Sequence, residues 1–132
     1  MTEKAVMDAL VQMKRTGNLL NELEDLTRQL GESIDRSDRV STEMIIAMRE
    51  EPLAKLQAAD QALREQLEAL PDQDEAKRLA AMLNGGPPEE PNEQMQQMLC
   101  SQVAANNRRL KLVRELDRML NQRLGREQSA YQ

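Results

Sequence analysis

The stretch 92–124, NEQMQQMLCSQVAANNRRLKLVRELDRMLNQRL, decides the fold. Apolar side chains stand at Met95, Leu99, Val103, Leu110, Val113, Leu120 and Leu124, with Asn106 in line among them and Leu116 or Asp117 following Val113. From Leu99 through Val113 the steps alternate between four and three, which is close to a heptad. Residues so spaced share one face of an α-helix. The stretch therefore predicts a long helix from about Asn92 to Leu124, whose stripe must be covered by other helices. Asn106 interrupts that stripe, and two readings fit it. It is either a buried polar residue that fixes helix register at some cost in stability, or a solvated edge position.

The same spacing runs through the rest of the chain. Thr2 can cap a first helix. Its stripe is Val6, Leu10, Met13, Leu20, Leu23, Leu26, Leu30 and Ile34, with Gly17 in line. Glycine there costs roughly 1 kcal/mol against alanine, so it marks either a close helix contact or a soft spot. Gly31, Ser33, Asp35, Ser37 and Asp38 then predict a turn over about 35–39, because short polar side chains compete for backbone hydrogen bonds. The alternative is one helix unbroken to Arg49. A second helical segment carries Val40, Met44, Met48, Leu53, Leu56, Ala59, Leu63, Leu67 and Leu70. Pro52 either kinks it or sits in the first turn of a restarted helix. If the first helix runs to Arg49, Pro52 is instead the hairpin corner.

Pro71 closes that segment, and Asp72-Gln73-Asp74-Glu75 reads as a capping box for a short helix through Leu79, Met82 and Leu83. Gly85-Gly86-Pro87-Pro88 stops it, and residues 85–91 form an extended linker. Gly125 is read as the end of the last helix and residues 126–132 as a disordered tail. No run of β-branched and aromatic residues alternates with polar ones, so no strand is expected. The fold class is all-α: an elongated antiparallel helical bundle, or coiled-coil hairpin, with a long C-terminal helix, in a single domain over 1–125.

Composition narrows function. Among 132 residues there is one aromatic, Tyr131, and neither histidine nor tryptophan. The chain thus lacks the usual pH-responsive side chain of catalysis. With one cysteine and no histidine, zinc and copper sites are not expected, nor any cofactor. Cys100 has no internal partner and reads as a packing residue, in keeping with a reducing cytoplasm. Glu50-Glu51, Asp72, Asp74-Glu75 and Glu89-Glu90 fall at turns and helix starts, where they complement the helix dipole. No enzyme is predicted. The net charge of −5 disfavours general binding to nucleic acid. No uncharged apolar run is longer than the five residues of Met44–Met48, far too short to span a bilayer, so no membrane insertion is expected. The first residues carry no basic segment leading into an apolar one, so no signal peptide is read.

Two features point to binding. Arg108, Arg109, Lys111, Arg114, Arg118, Arg123 and Arg126 gather on the last helix, and Lys111, Arg114 and Arg118 share one face of it. They either pair with acidic residues of the first two helices or form a docking patch for an acidic partner. The nine methionines are the second feature. Methionine adapts to irregular grooves, and adaptable binding surfaces use it heavily. With no aromatic to fix the core, they suggest a bundle able to repack around a guest helix.

The layout resembles the FlgN/FliT-like export chaperones of bacterial flagella. The likeness rests on size, an aromatic-poor helical hairpin, a broken middle and a long C-terminal helix. In detail it rests on Asn106-Asn107-Arg108-Arg109-Leu110-Lys111-Leu112-Val113, followed by Leu116, Met119 and Leu120, and on the lone tyrosine near the end, Tyr131. It covers most of the chain in outline and residues 102–124 in detail; Pro52 and the Gly-Gly-Pro-Pro linker depart from it. The resemblance implies a cytoplasmic chaperone that binds a helical segment of a flagellar axial, hook-associated protein and prevents premature assembly. It implies guest contacts at Leu110, Val113, Leu116, Met119 and Leu120, and a tail contact with the export machinery at Tyr131. The competing expectations are a structural coiled coil that pairs with its own copy as a homo-oligomer, and a helical adaptor using the basic face of the last helix.

Overall fold

The computed structural model describes the backbone of residues 1–130 and the side chains of residues 1–126. It is all-α, with five helices: α1 (Glu3–Asp35), α2 (Arg39–Met48), α3 (Glu50–Glu68), α4 (Gln73–Leu83) and α5 (Gln94–Ala130). The helix limits follow from local chemistry. Thr2 caps α1 by accepting from the Ala5 amide. Asp35 is the last residue of α1, so the turn wins over the unbroken helix. There the Asp38 amide donates to the Ser33 carbonyl and the Ser37 amide to that of Ile34, with Ser37 at φ 56°. This is a Schellman stop with serine where glycine is preferred. Asp38 then caps α2 through the Ser41 amide and hydroxyl.

Pro52 lies in the first turn of a restarted helix. α2 ends at Met48, Arg49 joins it to α3 in helical geometry, and α3 begins at Glu50. Proline there forfeits little, since early amides of a helix lack intrahelical acceptors. Asp72 caps α4 as the box predicts, accepting from the Asp74 and Glu75 amides. The Glu75 carboxylate, however, does not return to Asp72. It accepts from both the amide and the hydroxyl of Thr2, at 2.9 Å each, and so ties the starts of α1 and α4 together. At the far end of α4 the Gly86 amide reaches the Ala81 carbonyl, the Gly85 amide reaches that of Met82, and Gly85 adopts φ 100°.

Cross-contacts give the topology. Asn106 meets Met13, Arg109 pairs with Glu24, Leu120 lies against Gly31, and Arg123 pairs with Asp35. Both numbers rise together, so α1 and α5 run parallel. α2 and α3 return antiparallel along α1, and α4 runs parallel to α1 again, wedged between α3 and α5. The last helix does not stop at Gly125 as its sequence suggests. A Cβ there would meet nothing, and a single glycine not in the left-handed region costs only about 1 kcal/mol.

The core has two parts. Near the chain start, Ala5, Val6, Ala9 and Leu10 pack with Leu63, Leu79, Met82, Leu99 and Val103 from α3, α4 and α5. At the other end Leu26, Leu30 and Ile34 pack with Ile45 and Leu120. Between them sits a polar layer. Asn106 is buried and donates to the Met13 carbonyl at 2.8 Å, while Gln102 donates to the Asn106 side-chain oxygen at 2.9 Å. Of the two readings of Asn106, the buried one is realised. Gly17 makes this layer sterically feasible: a Cβ there would lie 2.6 Å from the Gln102 amide nitrogen and 2.9 Å from the Asn106 oxygen.

Candidate functional site

Just beyond the C-terminus of α4, the wedge between α3 and α5 is empty. α4 has only eleven residues, about 16 Å of helix, whereas α1 has 33. Where α4 stops, a trough of about 320 Å³ opens. Its floor is Met13, Thr16 and Leu20 of α1; its walls are Leu63 and Leu67 of α3 and Val103, Asn107 and Leu110 of α5; Ala80, Leu83 and Asn84 close its lower end. Met13, Leu67, Leu83 and Leu110 are half-buried, so each still presents apolar surface. The volume is at the lower end of ligand-site sizes and suits a few apolar side chains rather than a whole helix.

The trough exists because α4 is stopped and its continuation diverted. The Gly85-Gly86 stop turns the chain aside, and Arg78 holds Glu89 of the linker at 2.8 Å. Beyond the trough, Arg49 grips Asp117 through both carboxylate oxygens at 2.6 and 2.8 Å, joining the α2–α3 corner to α5. The Arg49 side chain is 14% exposed, so this paired charge is largely withdrawn from water.

The expected guest contacts do not form one surface. Val113 and Leu120 are buried, and Leu120 packs on α1 and α2 as part of the second core cluster. They are corrected to internal packing residues, because the stripe that would meet a guest is used first to hold α5 on α1. Leu110 lines the trough. Leu116 is half-buried and Met119 exposed, and with the exposed Leu112 they follow a different line of α5, at i, i+4 and i+7. Tyr131 lies outside the described residues.

Periodicity placed Val40, Met44 and Met48 on a stripe expected to be covered, and the structure leaves that face of α2 exposed. Val40, Met44 and Met48 are 73%, 58% and 49% exposed and four residues apart, while Ile45 alone on this helix is buried. The methionine count was the available signal. Met82 is in the core, but Met7, Met44, Met48, Met98 and Met119 are on the surface.

The basic residues of α5 divide between the two readings. Arg109 and Arg123 pair with Glu24 and Asp35 of α1, and Arg118 pairs with Glu115 of its own helix. Arg108, Lys111 and Arg114 are exposed and have no ion pair among the described residues. Burial raises the Cys100 thiol above its ordinary pKa, which keeps it protonated and poorly nucleophilic. Among the described residues, no group of acidic, cysteine or histidine side chains could hold a metal ion, and no helix is long and apolar enough to cross a membrane.

Comparison of the chain with protein-family models, with curated proteins and with solved structures finds no match.

Proposed function

We propose that this protein captures an amphipathic helix of another protein, in the manner of an export chaperone that shields a segment of a flagellar hook-associated protein from premature assembly. The observation that supports this reading is the half-filled fourth position of the bundle. α4 occupies the wedge between α3 and α5 for three turns and then leaves an apolar trough on its own line. A guest helix lying there inserts side chains where α4 would have placed its own, which is helix-in-groove recognition. Each leucine or methionine fully buried contributes on the order of 1.5–3 kcal/mol before the costs of ordering and association. The role is binding rather than catalysis.

The test is titration calorimetry against the terminal helices of hook-associated proteins, with circular dichroism as the folding control. Binding that is lost in Leu110→Asp, with helicity retained, supports the reading. Absence of binding to any axial-protein helix removes the flagellar assignment, and absence of binding to any amphipathic helix removes capture altogether. The exposed Val40, Met44 and Met48 of α2 favour a second reading, self-association through that face. Light scattering on the parent and on Met44→Glu distinguishes it: a dimer that dissociates on substitution supports pairing through α2.

A further inference from the structure

The trough is not electrically neutral at its rim. Asn107 and Leu110 form its α5 wall, and Lys111 and Arg114 lie four residues beyond each of them, on the same side of the helix. Both are exposed and neither has an ion pair among the described residues. The opposite rim is compensated: on α3, Asp60 and Arg64 both line the trough and pair with each other at 3.0 Å. The nearest carboxylates of α5 are also engaged, Glu115 by Arg118 and Asp117 by Arg49. One side of the trough therefore carries free positive charge, although the chain as a whole is at −5. At a Debye length of about 10 Å, a docked helix responds to that rim rather than to the distant net charge.

From this we infer that the partner seated over the trough, with its apolar side chains inserted, is an amphipathic helix with acidic residues along the flank that faces α5. The inference rests on the helix-capture reading and adds the chemistry and orientation of the guest. The apolar stripe supplies adhesion, and the charged flank selects which helix enters and which way it is rotated. A helix with a basic flank meets Lys111 and Arg114 with like charge and is rejected.

The test uses two designed peptides of about 18 residues, long enough to hold helix, with one leucine stripe and either glutamate or lysine along the flank. Affinity is measured by fluorescence anisotropy against the full chain at low and high salt. The acidic peptide is expected to bind about tenfold tighter at low salt, with the advantage shrinking as salt rises. Lys111→Glu combined with Arg114→Glu should reverse the preference; both residues are exposed and have no ion pair among the described residues, so the fold is retained. Equal, salt-insensitive binding of both peptides overturns the acidic-flank inference and leaves capture standing. Failure of both peptides to bind overturns capture itself. Binding of anionic lipid vesicles that disappears in the double variant, with no peptide preference, assigns the rim to a membrane surface and overturns the inference.

Discussion

The two ends of this molecule are built from the same kind of helix yet finish differently. At the end holding the chain start, four helices meet. The core there mixes alanines with larger residues, Ala5 and Ala9 against Leu79, Met82 and Leu99, and Leu99 is wholly enclosed. At the other end α4 is missing, and the core is a smaller set of large aliphatics: Leu26, Leu30, Ile34, Ile45 and Leu120. Exposed apolar side chains follow the same division. Met7, Val11 and Met98 belong to the four-helix end, whereas Val40, Met44, Ile46, Met48, Leu53, Leu112 and Met119 belong to the other. A bundle one helix short cannot cover all its stripes, and the deficit appears as surface that another helix can use.

Substitutions along α5 should break this contrast most strongly. Leu99→Ala opens a cavity in the closed end and should cost about 2–5 kcal/mol in chemical denaturation. Met119→Ala, at the open end of the same helix and 41% exposed, should change stability by no more than about 0.5 kcal/mol. The boundary between the ends is the polar layer. Gly17→Ala places a methyl group against the Gln102 and Asn106 side chains and displaces their hydrogen bonds; offset in part by the roughly 1 kcal/mol that alanine gains over glycine in a helix, the net cost should be about 0–2 kcal/mol. A gain is expected at the open end. Ser37 occupies the left-handed region, so Ser37→Gly should stabilise by roughly 0.5–1 kcal/mol, seen as a higher melting temperature.

The smallest expected effect concerns pH at the closed end. Hydrogen bonds from the Thr2 amide and then its hydroxyl hold the Glu75 carboxyl below the ordinary carboxylate range. A carboxyl whose folded pKa is lowered contributes stability that is full above its unfolded value, near 4.5, and is lost as pH falls through the lower folded value. Glu75→Gln should therefore melt slightly below the parent at neutral pH, with the gap closing as the solution is acidified. A gap that widens toward acid would show that Glu75 is not held as its contacts indicate.

Much of this architecture was legible in the sequence because it depends on local chemistry. The Asp72 cap and the glycine stop at Gly85 are each specified by a few neighbouring residues, while the turn after Asp35 and the restart around Pro52 were each one of the readings that their neighbours left open. The parallel pairing of α1 and α5 was not legible. It depends on contacts such as Asn106 with Met13, ninety-three residues apart, which no periodicity encodes. The candidate site was less legible still. A stripe at helical spacing reveals that it will be buried but not by what, so Val113 and Leu120 read the same as Leu110 although only Leu110 faces the trough. The trough itself is defined by where α4 stops, and the helix length in the sequence hinted at it only when set against the lengths of its neighbours.

The most direct test of guest capture is methionine-methyl NMR on the full chain during titration with an acidic-flanked amphipathic peptide. Met13 lies on the trough floor, Met44 and Met48 on the exposed face of α2, and Met7 and Met98 on the surface of the closed end. Guest capture at the trough requires a saturable shift of the Met13 methyl while Met44, Met48, Met7 and Met98 stay in place. Saturable shifts at Met44 and Met48 with Met13 unmoved would contradict it.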